Sequence, residues 1–374
     1  MSKVSMRGQE MPESPISKLV PLAAAAKERG TKVYHLNIGQ PDLPTPQVGL
    51  DALKNIDRTL LEYSTPEGYL SYRKKLAGYY KKYDINVEPD DIVITCGGSE
   101  AVQIAFMACL DPGDEIILTE PLYANYLGFA IPAGIKVRTI TTKIEDGFAL
   151  PTVEKFEELI NEKTKAILIC NPNNPTGTVT DHDVVSAVIS NNPDTLFIID
   201  QSYSHYTLKR TLQPRECARQ GNVLLLNSMT KDFGIPGLRL GFVTASRRLI
   251  SLLRSHRMPW SVNSLAICAG MFLLKHHEDY SIDTAALCSE RERVGRLIEE
   301  LGIMTYPSDS NMLLCRLPES DAATLKEFLV ASHSILIRDA SNFETLTPQH
   351  FRIAVQTREE NDKLIKSLEE WMKQ

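Results

Sequence analysis

From about residue 90 onward, short apolar runs alternate with longer amphipathic stretches. The runs at 92–95, 115–119, 166–170, 195–199, 223–226 and 240–244 are rich in β-branched residues and bounded by Gly, Pro or Asn. Runs of that length and composition read as strands buried on both faces. The stretches between them, such as 101–110 and 153–160, space their apolar residues for one side of a helix. Strands alternating with helices predict an α/β architecture, a mostly parallel sheet covered by helices on both faces.

After about residue 275 the pattern changes. Residues 283–301 read as one long charged helix with Ala286, Val294, Leu297 and Leu301 as its apolar stripe. A strand at 312–316, a helix at 322–330, strands at 335–338 and 351–355 and a closing helix from about 359 follow, which suits a smaller α+β domain. Residues 1–45 are rich in Pro and polar residues, with an alanine run at 23–26 that fits a helix and a sharp turn at Gly39-Gln40-Pro41-Asp42. The expected organisation is an arm contributing to the small domain over 1–45, a large domain over 46–280 and a C-terminal small domain over 281–374.

Composition narrows the function. With 41 basic against 47 acidic residues among 374, the net charge of −6 gives no global field for nucleic acid or anionic membrane. The seven cysteines are scattered, and neither a CxxC pair nor a Cys/His cluster of metal-ligand spacing occurs, so no metal is expected. Residues 1–15 lack the apolar centre of a signal peptide, and no apolar run approaches the roughly 20 residues that span a bilayer. A soluble, cytoplasmic protein with reduced thiols is the expectation.

In an open parallel sheet, ligands sit beyond the carboxyl ends of the strands, so the residues that follow each strand are the informative ones. After 92–95 comes Cys96-Gly97-Gly98-Ser99, opening a helix. Its glycines admit close backbone approach, Ser99 is a candidate cap, and free N–H groups suit an anion, although the same turn serves as a plain helix start. After 115–119 comes Pro121-Leu122-Tyr123, whose tyrosine is either a ring platform for a flat ligand or a core residue. After 166–170, Asn171-Pro172-Asn173-Asn174-Pro175-Thr176-Gly177 makes a rigid loop that can fix an asparagine side chain. Asp200, ending the next strand ahead of Tyr203, needs a partner such as a protonated pyridine nitrogen, or else caps structure. Finally Ser228-Met229-Thr230-Lys231 leads through Gly234, Pro236 and Gly237 to Arg239. Hydroxyls and a guanidinium fork suit a phosphate dianion.

In this order these segments resemble the class I/II aminotransferases of pyridoxal-phosphate fold type I, with a general likeness to aspartate-aminotransferase-like enzymes. The resemblance runs from Asn37 to about Gln356; its specific parts are Asn-Pro-Asn-Asn-Pro-Thr-Gly and Ser-Met-Thr-Lys followed by Gly-Leu-Arg. It implies a seven-stranded, mostly parallel sheet, pyridoxal 5'-phosphate as cofactor, and ping-pong transfer of an amino group from an L-amino acid to a 2-oxo acid. Lys231 would carry the cofactor as a Schiff base, Asp200 would face the pyridinium nitrogen, and Tyr203 and Asn174 would bond the phenolic oxygen. Tyr123 would stack on the ring, while Gly98, Ser99, Ser228 and Arg239 would hold the phosphate. Tyr63, in Glu62-Tyr63-Ser64, fits a position that family members lend to a second subunit, which implies a homodimer. Arg352 matches the arginine that forks the substrate carboxylate, with Gly39 lending its backbone N–H.

Two other functions share these motifs. A C–S β-lyase on the same scaffold differs only in how the substrate is oriented. A noncatalytic sensor module of a transcription regulator would carry a DNA-binding helical domain ahead of it, whereas the roughly 45 residues before the core lack a basic helical pattern. The arm sequence Met11-Pro12-Glu13-Ser14-Pro15-Ile16-Ser17-Lys18-Leu19 holds no arginine for a distal carboxylate, and Arg338 is the remaining candidate. Aspartate, aromatic and broad specificity all stay open.

Overall fold

A computed structural model describes residues 5–11, 24, 28, 32–39, 44–56, 62–65, 69–280 and 282–373. The turn at Gln40-Pro41-Asp42, most of the alanine run and the arm over 12–19 lie outside the described residues.

The main sheet has seven strands: β2 (Ile92–Thr95), β3 (Glu115–Glu120), β4 (Lys136–Thr141), β5 (Thr164–Cys170), β6 (Leu196–Asp200), β7 (Val223–Ser228) and β8 (Gly241–Ala245). Their spatial order is β2-β8-β7-β6-β5-β3-β4, with every pairing parallel except the two that β8 makes. Successive side chains alternate between faces. Ile116, Leu118, Leu168, Ile198, Leu224 and Leu226 pack against Phe106, Tyr126 and Leu253 on one side. Ile117, Ile167, Ile169, Phe197, Ile199 and Leu225 pack against Phe156, Val185 and Ile189 on the other.

All six expected strands form, with ends within two residues of the observed ones. The alternation rule missed β4 because this edge strand is poorly covered, unlike β2 at the other edge: only Ile140 of its six residues is buried, so no apolar run marks it.

The smaller sheet is antiparallel, in the order β12 (Arg338–Asp339), β13 (His350–Ala354), β10 (Met312–Arg316), β9 (Met304–Thr305). Helices Thr284–Glu300, Ala322–His333 and Arg358–Met372 supply Val294, Ile298, Leu325, Leu329, Leu364 and Leu368 to the core over it. A two-residue strand near the N-terminus, β1 (Tyr34–His35), pairs in parallel with β11 (Ile335–Leu336), and Leu36 enters the same core. The expected strand over 335–338 is therefore two, broken at Ile337, with its halves in different sheets. The stripe expected on the long helix also shifts. Ala286 is exposed, and the inward face runs through Leu287, Arg291, Val294 and Ile298. Arg291 takes an apolar position because its guanidinium donates to the carbonyl of Ser310 at 3.2 Å.

Candidate active site

The carboxyl ends of β2, β3, β5, β6 and β7 surround a cavity of about 190 Å³. Gly98, Ser99, Tyr123, Asn174, Asp200, Tyr203, Ser228, Lys231 and Arg239 all line it. Gly39, Tyr63 and Arg352 do not. Gly39 is buried against the Tyr203 phenol, with no room between them for a methyl group. Tyr63 is 84% exposed and lies beside Trp260, with ring centroids 5.3 Å apart.

The helix Gly97–Cys109 starts at the cavity with Cys96 as its N-cap. Ser99 therefore sits in the first turn instead of capping, because Gly97, at φ +77°, lets the chain turn two residues earlier. The same glycine makes room for Arg239: a methyl group at Gly97 would come within 2.5 Å of Arg239 Nη2. Arg239 itself holds a left-handed φ of +55°, and its Nη1 donates to the Pro236 carbonyl at 2.9 Å. Strain of this kind at a non-glycine residue often marks a site where placement matters.

Within the Asn-Pro-Asn-Asn loop the asparagines divide their work. Asn171 is tied to both backbone groups of Thr180, and Asn173 accepts from the Thr176 backbone and hydroxyl. Asn174 alone of the three lines the cavity, where its Oδ1 accepts from Arg352 Nη1 at 2.8 Å. Arg352 stands on β13, 4% exposed, and also donates to the Asn37 carbonyl. No carboxylate among the described residues pairs with it, and burial presses its guanidinium down to about 10.

Asp200 accepts from the Tyr126 hydroxyl at 2.8 Å and from the Ser202 backbone at 2.9 Å. Lys231 projects from the one-turn helix Met229–Asp232, its Nζ 5.4 Å from the centroid of the Tyr203 ring. Burial, then the charges of Arg352 and Arg239, push its amine down to about 8 against the pull of Asp200 and Asp232. Only the neutral amine attacks an aldehyde. Aldehyde capture by the cofactor-free chain is accordingly expected to quicken about tenfold per pH unit up to about pH 8 and then level off. Stopped-flow absorbance across pH 6–10 would check it, and a rate still climbing beyond pH 10 would contradict the lowered amine.

A family model, Aminotransferase class I and II, matches residues 31–368. The chain belongs to the class I and II aminotransferases. An aspartate aminotransferase of Thermotoga maritima is 30% identical over 308 residues, covering 79% of this chain and 80% of that one. A histidinol-phosphate aminotransferase of Methanocaldococcus jannaschii is 28% identical, over 87% of this chain and 86% of the relative. The crystal structure of the Thermotoga maritima aspartate aminotransferase superposes with a TM-score of 0.86 at 26% identity, covering 99% of this chain and all of that one. This aminotransferase is thus an enzyme of pyridoxal 5'-phosphate-dependent transamination, acting on amino acids and 2-oxo acids.

The cavity suits that cofactor. Thr230 Oγ1 is buried at its wall with no hydrogen-bond partner among the described residues, an orphan that a phosphate oxygen would satisfy. Ser99, Ser228, Arg239 and the helix N-terminus would complete a donor set for a dianion, and the Asp200 carboxylate would suit a ring cation. In the aminotransferase, Gly97→Ala is expected to displace Arg239 and lower cofactor affinity roughly tenfold, with about 1–2 kcal/mol of stability lost to the positive φ. Fluorescence titration and urea unfolding would measure the two effects.

Sequence reasoning missed Tyr126, Ser202 and Thr230. The spacing Tyr123-x-x-Tyr126 at a helix start was the available signal for the first. The other two flank residues already singled out, on strand ends that face the cavity.

Proposed function

We propose that Lys231 is the lysine joined to the cofactor and that Arg352 holds the carboxylate of an L-amino acid donor and then of the 2-oxo acid acceptor. The observation that carries this reading is a buried guanidinium, free of any acid among the described residues, one hydrogen bond from the wall of the Lys231 cavity. Leaving a buried cation unpaired is costly, so an anionic ligand is the missing partner.

When bound, pyridoxal phosphate supplies an aldehyde and an electron-withdrawing ring that makes the substrate Cα–H acidic. The chain supplies placement and proton handling. Arg352, steadied by Asn174 and the Asn37 carbonyl, orients the carboxylate and so decides which Cα bond faces Lys231. The Lys231 amine would take the Cα proton and deliver it to the carbon on the far side of the amino nitrogen, two bonds away, work suited to a group titrating near neutrality. Asp200, held by Tyr126 and Ser202, would be the acceptor for a protonated ring nitrogen. Ser99, Ser228, Thr230 and Arg239 hold the phosphate, and Tyr123 and Tyr203 confine the ring. Borohydride reduction followed by peptide mass mapping tests the assignment: the label belongs on the Lys231 peptide, and a label elsewhere overturns it.

A second substrate reading rests on Arg338. It sits directly opposite Arg352 across the β12–β13 pair, also buried, its guanidinium donating to Asn342 Oδ1 at 2.6 Å. Like charges placed opposite each other cost stability unless an anion lies between them. Two guanidiniums side by side suit a group with more than one negative charge, in line with the dicarboxylic and phosphorylated donors in the relatives' names. Aspartate, glutamate, histidinol phosphate, alanine and phenylalanine, each run against 2-oxoglutarate, would separate these readings.

The proposed working unit is a homodimer in the cytoplasm. Tyr63, Met258 and Trp260 are all largely exposed, an apolar group suited to covering by a second copy whose site Tyr63 would complete. All seven cysteines are free, and no helix among the described residues is long and apolar enough to cross a membrane.

A further inference from the structure

Behind the Lys231 cavity lies a second, larger one of about 360 Å³. Strand alternation separates the two: Ser228, Asp200 and Ser202 face the active site, while Asn227 and Gln201 face the rear cavity. His205 lines that rear cavity, its side chain 41% exposed, and its Nδ1 lies 2.8 Å from Oδ1 of Asp232, which is 12% exposed. Asp232 directly follows Lys231 in the one-turn helix. In the same turn, the Tyr206 hydroxyl donates to the Lys231 backbone carbonyl at 3.1 Å, and the Thr284 hydroxyl anchors the His205 carbonyl at 2.9 Å. One segment, 200–206, thus places Asp200 and Tyr203 in the active site and grips the Lys231 helix from the rear at two points.

We propose that His205 is a positioning residue of this aminotransferase: paired with Asp232, it fixes the Lys231 helix and screens the Asp232 carboxylate from the Lys231 amine. The proposal rests on Lys231 being the working amine. Lys231 feels Asp200 and Asp232, which favour its charged form, and Arg352 and Arg239, which oppose it. Asp232 faces Tyr72, Tyr79, Tyr80 and Tyr206, all held neutral by burial, with His205 as its cationic partner. Burial works against a charge on His205, and the Asp232 charge and hydrogen bond outweigh it, so its proton is held more tightly than usual. The other groups around His205 are the Ser204 hydroxyl at 3.5 Å and, across the cavity, His277, Tyr79, Tyr83, Lys209 and Arg210. Those last two cations are committed to Asp309 and Glu216.

The two members of the pair must then act in opposite directions. His205→Gln leaves the carboxylate unscreened and should raise the pH at which the Lys231 amine titrates by on the order of one unit. Asp232→Asn removes the carboxylate and should lower it by a similar amount, roughly one unit. His205→Lys, which restores the cation, should return the wild-type value. The readout is the pH dependence of Lys231 acylation in the full-length, cofactor-free chain, followed by peptide mass. A purely structural pair would shift both variants in the same direction, and that result, or no shift in either, overturns the proposal. Should His205→Gln fail to fold, the isosteric Asp232→Asn and the charge-restoring His205→Lys still decide it. Borohydride mapping of the loaded wild-type enzyme answers separately whether Lys231 carries the cofactor, so the two claims fail independently.

Discussion

Lys231→Ala is expected to cut amino-group transfer by about 10⁴-fold or more, since both the covalent anchor and the proton carrier go with one amine. The fold should survive intact. Lys231 sits among two arginine charges with its own charged form disfavoured by burial, and among the described residues it makes no side-chain hydrogen bond that frames the structure. Its truncation thus relieves repulsion while leaving the Tyr206 bond to the main-chain carbonyl of residue 231 in place. Coupled transamination assays beside urea unfolding would show a lost rate with an unchanged or higher midpoint. A variant that keeps wild-type turnover would remove Lys231 from the chemistry.

Arg352→Met should separate catalysis from stability more sharply still. Losing a charge-assisted fork to a carboxylate is expected to lower kcat/KM by roughly 10²–10³-fold, chiefly through KM. The unliganded protein gains in turn. Methionine fills the stem's volume without an unpaired cation, whose burial costs several kcal/mol. Against that stand two acceptors, the Asn37 carbonyl and Asn174 Oδ1, left without their donor at about 1–3 kcal/mol each. The balance predicts a variant at least as stable as the parent and nearly inactive at low substrate. A marked loss of stability with catalysis retained would instead make Arg352 part of the framework.

Much of the architecture could be read from the chain because strands buried on both faces advertise themselves as unbroken apolar runs. The strands at 92–95 and 312–316 agree with the structure to the residue. Where burial is one-sided or absent, the signal fades: β4 carries Lys136, Arg138 and two threonines along a sheet edge. The split at Ile337 was invisible for another reason, since partners in two different sheets are a tertiary fact. The site was legible because a parallel sheet gathers the carboxyl ends of its strands at one edge, so residues distant in sequence meet there. Tyr126 escaped because its bond to Asp200 joins positions 74 apart, so that only its helical spacing from Tyr123 hinted at it. Arg352 emerged only through its motif, and its lack of an acidic partner among the described residues is a property of the folded core.

The pairing of β1 with β11 also constrains how the chain is made. During synthesis Tyr34 and His35 leave the ribosome long before Ile335 and Leu336 exist, so this ribbon and the seat of Leu36 can form only after Leu336 has emerged. The seven-stranded sheet, closed within residues 92–245, has no such wait. A nascent chain halted before Ile335 would therefore hold a finished sheet and an orphaned leading segment, an apolar strand edge suited to capture by a chaperone.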